Sequence, residues 1–220
     1  MTGSPQEVQS SDVALIAVRG TTEPQSGSRL LMPVGELISA GLTVPTTYTE
    51  LDYPADFEFA ASVPHGVDTL VRLLNDAASE YPERRHVLMG YSQGAWVIGE
   101  ALVAPTLRDM GRAAPELSAA AASRVAAVLF YGDPRFTAGE PFNAGTFEAD
   151  RQSENPRPVG QLAEYADRMQ NYCAVGDIAC QGNGGTYVAH LAYLTNSMRE
   201  EGATFALGRL GAHQPTGDRT

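Results

Sequence analysis

Lysine is absent from this chain. All 15 basic residues are arginine, set against 26 acidic ones, for a formal net charge of −11. That balance leaves no basic stripe to lie along a phosphate backbone, which argues against nucleic acid as a partner. Long apolar runs are lacking too. None approaches the roughly 18 residues of a membrane span, so no transmembrane segment is expected. Met1 to Ser11 is polar and without the apolar core of a signal peptide, and it reads as a flexible leader. Cysteine is reduced to Cys173 and Cys180. The pair invites a disulfide and with it an oxidising destination; two free thiols are the alternative. What remains, 43% hydrophobic and 19% charged residues over 220 positions, fits one soluble globular domain with a large core. Its expected bounds are 12–212, with 213–220 as a tail.

The chain alternates buried strands with helical segments. Val13–Val18, Thr46–Leu51, Val125–Tyr131 and a stretch near Met169–Tyr172 read as strands. Leu30–Ala40, Val63–Tyr81, Ala95–Ala104 and Thr186–Met198 show helical spacing. Pro64 suits the first turn of the second helix. Residues 106–123 read as an irregular connection with helical pieces, and 134–160 as a long surface excursion. Alternation of this kind indicates a parallel, doubly wound sheet with helices on both faces, a three-layer α/β sandwich.

One stretch gives this frame a chemistry. Val87-Leu-Met89 is a further buried strand, Gly90-Tyr-Ser-Gln-Gly94 gives G-x-S-x-G, and an apolar helix follows. Strand, sharp turn and helix are the setting of a nucleophile elbow. The turn would strain the Ser92 backbone, and side chains two positions either side would collide, hence the glycines. Ser92 then needs a base, and the base an orienting acid. Of four histidines, His86 opens the strand at the wrong end, His65 lies in the first turn of a helix and His213 in the tail. His190 remains. Asp177, in Cys173-x3-Asp-x2-Cys180, is the candidate acid; Asp133, which also follows a strand, is its rival. The loop after the first strand, Arg19-Gly-Thr-Thr-Glu-Pro24, could offer the Thr21 N–H to an oxyanion, a plain turn being the alternative. Gln93 would offer a second N–H.

With these residues assembled, the chain resembles the cutinase family of serine esterases, especially the cutinase-like proteins of mycobacteria and relatives. The motifs that carry the resemblance are Arg19-Gly-Thr-Thr-Glu23, Tyr53-Pro-Ala55, Gly90-Tyr-Ser-Gln-Gly94, Gly132-Asp-Pro134, Cys173-x3-Asp177-x2-Cys180 and Ala189-His-Leu191, in that order over residues 12–200. The resemblance implies an α/β-hydrolase-like fold with five parallel strands and no large lid. It implies Ser92, Asp177 and His190 as a triad, Thr21 and Gln93 as the oxyanion hole, and a Cys173–Cys180 disulfide. It also implies ester or lipid substrates, neither metal nor cofactor, and an extracellular or cell-envelope enzyme, expected as a monomer. The chain departs from the family at Ser10-Ser11 and Tyr81-Pro82, where a second disulfide is usual. One bridge fewer suits folding in a reducing cytosol with later release, as for a phage-encoded mycolyl esterase. A binding module on a degenerate hydrolase fold is the alternative outside enzymology.

Overall fold

A computed structural model describes residues 12–211, so the leader, the tail and His213 lie outside the described residues. In chain order the elements are β1 Val13–Val18, α1 Leu31–Ala40, β2 Thr46–Glu50, α2 Phe59–Glu80, β3 Arg85–Tyr91, α3 Gln93–Ala101, α4 Ala119–Arg124, β4 Val125–Tyr131, β5 Asn143–Gly145, β6 Met169–Cys173, α5 Ile178–Gln181, α6 Tyr187–His190 and α7 Met198–Arg209. The strands form one parallel sheet in the order β2-β1-β3-β4-β6-β5. It has six strands rather than the expected five. The addition, β5, lies inside the segment that reads as a surface excursion. Three residues including a glycine carry no alternation, and pairing with β6 alone holds them as an edge.

The strands' period of two sorts the core into two layers. Ile16, Val18, Leu88, Val128 and Phe130 point to the side of α2 and α3. Val13, Leu15, Ala17, Val87, Met89, Leu129 and Tyr131 point to the side of α1 and α7. Three expected helices are redrawn. α2 begins at Phe59, so Pro64 lies inside it, where the missing N–H leaves the Ala60 carbonyl without its i+4 donor. The elbow helix ends at Ala101, three residues early. The helix expected over 186–198 is broken into α6, a 3₁₀ turn at Ala192–Leu194, and α7, which runs on to Arg209.

His86 lies near the start of β3, buried, and neither ring nitrogen has a partner. Burial first, then the nearby Arg84 charge, pushes its pKa from 6.5 down to about 4. Between those values the unfolded chain binds the proton and the folded chain does not. Stability from this residue is therefore whole above pH 6.5 and is lost as pH falls towards 4. Urea unfolding at pH 7 and pH 4.5 should show a loss larger by about 2–3 kcal/mol in the natural protein than in His86→Leu. Equal losses would show that His86 titrates normally.

Candidate active site

Three loops at the carboxyl ends of the strands meet over the sheet, where ligand sites form in this architecture. The first is the bend between β3 and α3. Ser92 sits there at φ 52°, ψ −118°, a strained backbone for a residue with a side chain. Its N–H donates to the Tyr131 carbonyl at 2.8 Å. The flanking glycines are steric necessities. A Cβ on Gly90 would stand 2.7 Å from the Ala95 nitrogen, and one on Gly94 would run into the Val18 carbonyl. Ser92 is therefore presented half-exposed at the N-terminus of α3.

The second loop follows β6 and carries Asp177. The Cys173–Cys180 disulfide, with Cα atoms 5.9 Å apart, closes it. Asp177 is fully buried. One carboxylate oxygen accepts the Ala179 N–H at 2.7 Å and caps α5. The loop is tied to the segment bearing His190 by the Thr186 N–H, which donates to the Gly176 carbonyl at 2.7 Å. Breaking the bridge opens a short loop whose closure is worth about 2–3 kcal/mol. Cys173→Ser/Cys180→Ser should lower stability by about that much, and activity should fall further than stability predicts because the carboxylate loses its mount. Unchanged denaturant midpoints and unchanged kcat would contradict this.

The third segment is α6, with His190 in its last turn. Thr186 caps it, its hydroxyl accepting the Ala189 N–H at 3.1 Å. His190 Nδ1 lies 2.9 Å from Asp177 Oδ1 and 3.0 Å from Oδ2. The imidazole stacks on Tyr91, centroids 5.0 Å apart, while the Tyr91 hydroxyl donates to the His190 carbonyl at 2.9 Å. Gly132, at φ 60°, keeps the pair uncrowded, since a Cβ there would stand 2.7 Å from His190 Cε1 and 2.9 Å from Asp177 Oδ2.

The rival carboxylate is engaged elsewhere. Asp133 is fully buried and accepts from the Arg157 guanidinium, from Asn171 Nδ2 at 3.2 Å and from the Arg135 N–H at 2.9 Å. It anchors the 134–160 excursion and is not brought to His190. His65 is exposed on α2, and His86 sits at the opposite end of β3 from Ser92.

Ser92 and His190 line one cleft of about 570 Å³, together with Thr21 and Gln93. As first residue of α3, Gln93 has an N–H without an intrahelical acceptor. Its side chain is anchored away, with Nε2 donating to the Asp56 carbonyl at 2.8 Å and Oε1 accepting from Ser62 at 3.3 Å. In the loop after β1 the neighbours of Thr21 are pinned: the Gly20 N–H donates to Glu23 Oε2 at 2.9 Å and the Thr22 N–H to the Ala55 carbonyl at 2.7 Å.

Arg19 holds this loop from beneath. It is buried and donates to the carbonyls of Glu23 (3.0 Å), Leu51 (3.3 Å), Tyr53 (2.5 Å) and Pro54 (3.1 Å), while the Tyr53 hydroxyl donates back to the Arg19 carbonyl at 2.5 Å. Sequence reasoning gave no role to Arg19, Tyr53, Tyr91 or Gly132, although all four stand in the quoted motifs. The rest of the cleft is mostly apolar: Phe57, Phe59 and Trp96 beside Gln93, and Ile178, Tyr187, Leu191 and Leu194 around His190. Phe57 and Tyr187 are 71% and 64% exposed, so the apolar walls meet solvent. Among the described residues no cluster of side chains has the make-up to hold a metal ion, and no helix is long and apolar enough to cross a membrane.

Known proteins resemble this chain along most of its length. The family model described as Cutinase matches residues 9–210. Carboxylesterase Culp1 of Mycobacterium bovis is 31% identical over 206 residues, which cover 91% of this chain and 82% of that protein. Acetylxylan esterase of Hypocrea jecorina is 31% identical over 196 residues, 80% of this chain, and the match spans 64% of that relative's length. Among solved structures, an iodinated acetyl xylan esterase superposes with a TM-score of 0.78 at 27% identity, covering 90% of this chain and 98% of its own.

Proposed function

The chain belongs to the cutinase family, whose named relatives are esterases, and from that premise we propose that it is a carboxylic ester hydrolase with Ser92 as nucleophile, His190 as base and Asp177 as orienting acid. The observation that carries the proposal is the Nδ1 contact of His190 to a buried carboxylate, at 2.9 Å, inside the cleft that Ser92 lines. Asp177 accepts the Nδ1 hydrogen and fixes the tautomer, leaving Nε2 to take a proton. Ser92 Oγ attacks the ester carbonyl carbon while its proton passes to Nε2. The carbonyl oxygen becomes an oxyanion facing the Thr21 and Gln93 N–H groups, at the end of α3 that favours negative charge. The C–O bond breaks, the leaving alkoxide takes the proton from Nε2, and an acyl-Ser92 remains. Water then repeats the sequence and releases the acid.

The apolar walls suit an acyl chain, and their exposure suits a bulky alcohol or a substrate held in an aggregate. We read the substrates as short- to medium-chain acyl esters, with lipids included. The disulfide favours an oxidising location outside the cytosol. A panel of esters from acetyl through long acyl to mycolyl, run with Ser92→Ala as control, tests this. Turnover of butyrate and octanoate esters, lost in Ser92→Ala, is the expected result; turnover of mycolyl esters alone would establish the envelope-directed alternative. No turnover of any ester would favour a binding module.

A further inference from the structure

Asp177 has a third partner that the mechanism above does not use. Tyr193, on the 3₁₀ turn after α6, donates its hydroxyl to Asp177 Oδ2 at 2.5 Å. The Tyr193 hydroxyl oxygen in turn accepts the Ala174 N–H at 2.9 Å and lies 3.5 Å from Cys180 Sγ. The phenol is fully buried, its ring edge-on to those of Tyr91, Tyr131 and His190. Packing alone would be met by phenylalanine. A buried hydroxyl that both donates and accepts is committed to the groups it joins. Here it joins the Asp177 carboxylate to the backbone on the disulfide side of the loop.

We propose that Tyr193 is a positioning residue for the ester hydrolysis described above: by sharing the Asp177 carboxylate with His190 it sets how strongly that carboxylate draws on the imidazole. The inference rests on the assignment of Asp177 and His190 as acid and base. A carboxylate that accepts a short hydrogen bond from a phenol has less charge to offer a second donor. Removing the phenol leaves the Asp177 carboxylate with only the Ala179 N–H beside His190, which favours the imidazolium and holds the ring protonated to higher pH. It also leaves the buried Ala174 N–H without an acceptor, loosening the Asp177 loop.

The test is the pH profile of kcat/KM on one activated ester for Tyr193→Phe and for the protein with a fluorinated tyrosine at 193. The first removes the donor and keeps the ring; the second keeps the ring and makes a stronger donor. Tyr193→Phe should lower kcat by about 5- to 50-fold and move the ascending limb about half a unit or more to higher pH. The fluorinated residue should move it to lower pH, and it reports on the proposal if the phenylalanine variant folds poorly. In an Asp177→Asn background, Tyr193→Phe should cost no further activity, because its partner is gone. Profiles superimposable on the natural protein's, or shifts of the opposite sense, would overturn the role of Tyr193 while the triad stands. Full activity in Ser92→Ala would instead overturn the triad, and this inference with it.

Discussion

Ser92→Ala should reduce kcat on p-nitrophenyl butyrate by about 10⁴–10⁶-fold, with KM little changed and the folding midpoint unmoved. The size follows from what is removed. Without Oγ no acyl-enzyme forms, and only the oxyanion donors and the cleft walls remain to accelerate attack by water. Those contributions survive the substitution, so activity should fall to about 10³–10⁴ above the uncatalysed rate and not to zero. The folding midpoint should hold because alanine keeps the Cβ at the φ of 52° that the surroundings impose on Ser92. Burst kinetics check the account, since the natural protein should release one equivalent of nitrophenol ahead of steady state if deacylation is slow, and the variant none. A loss below tenfold would mean that the nucleophile lies elsewhere.

The second large effect belongs to Asp177→Asn. An amide there can still cap α5 through the Ala179 N–H, so the loop should keep its course. It cannot favour the Nδ1–H tautomer over the alternative, and it gives the imidazolium no charge. A loss of about 10⁴ in kcat is expected, with denaturant midpoints displaced far less than the activity implies. Asp133→Asn should behave in the opposite way. Its carboxylate is paired with Arg157 at full burial, and neutralising one partner of a buried pair costs about 3–5 kcal/mol. Activity per folded molecule should survive in that variant. The two substitutions, read by unfolding and by active-site titration together, separate a carboxylate that serves the base from one that serves the fold.

The sequence left that choice open for a physical reason. Both aspartates follow a strand and both could reach a site at the sheet's carboxyl edge. What commits Asp133 is Arg157, on a segment without periodicity, and no local pattern announces a contact of that kind. The elbow was legible because its demand is local: a strained serine needs small neighbours at fixed offsets, and Gly90 and Gly94 supply them. β4 was legible to the residue because an unbroken apolar run buried on both faces has no competing interpretation. β5 was not, since an edge strand of three residues is held by its neighbour and not by its own side chains.

The misread helix over 186–198 is more instructive. Its apolar spacing is real, but Tyr187 and Val188 are 64% and 80% exposed, and Tyr187, Leu191 and Leu194 face the cleft. Apolar periodicity reports a surface that shuns water, whether a core or a substrate is to cover it. Nothing in the local sequence announces the contact of the Tyr193 hydroxyl with Asp177, 16 positions earlier in the chain.

The central claim is that Ser92 and His190 act on the same reacting atoms, and covalent trapping tests it most directly. A p-nitrophenyl alkylphosphonate should label the protein with a stoichiometry of one, at Ser92 by peptide mass spectrometry, and His190→Ala should slow the labelling by at least about 10³-fold. Labelling at another residue, or labelling of Ser92 at the same rate without the imidazole, would contradict the account.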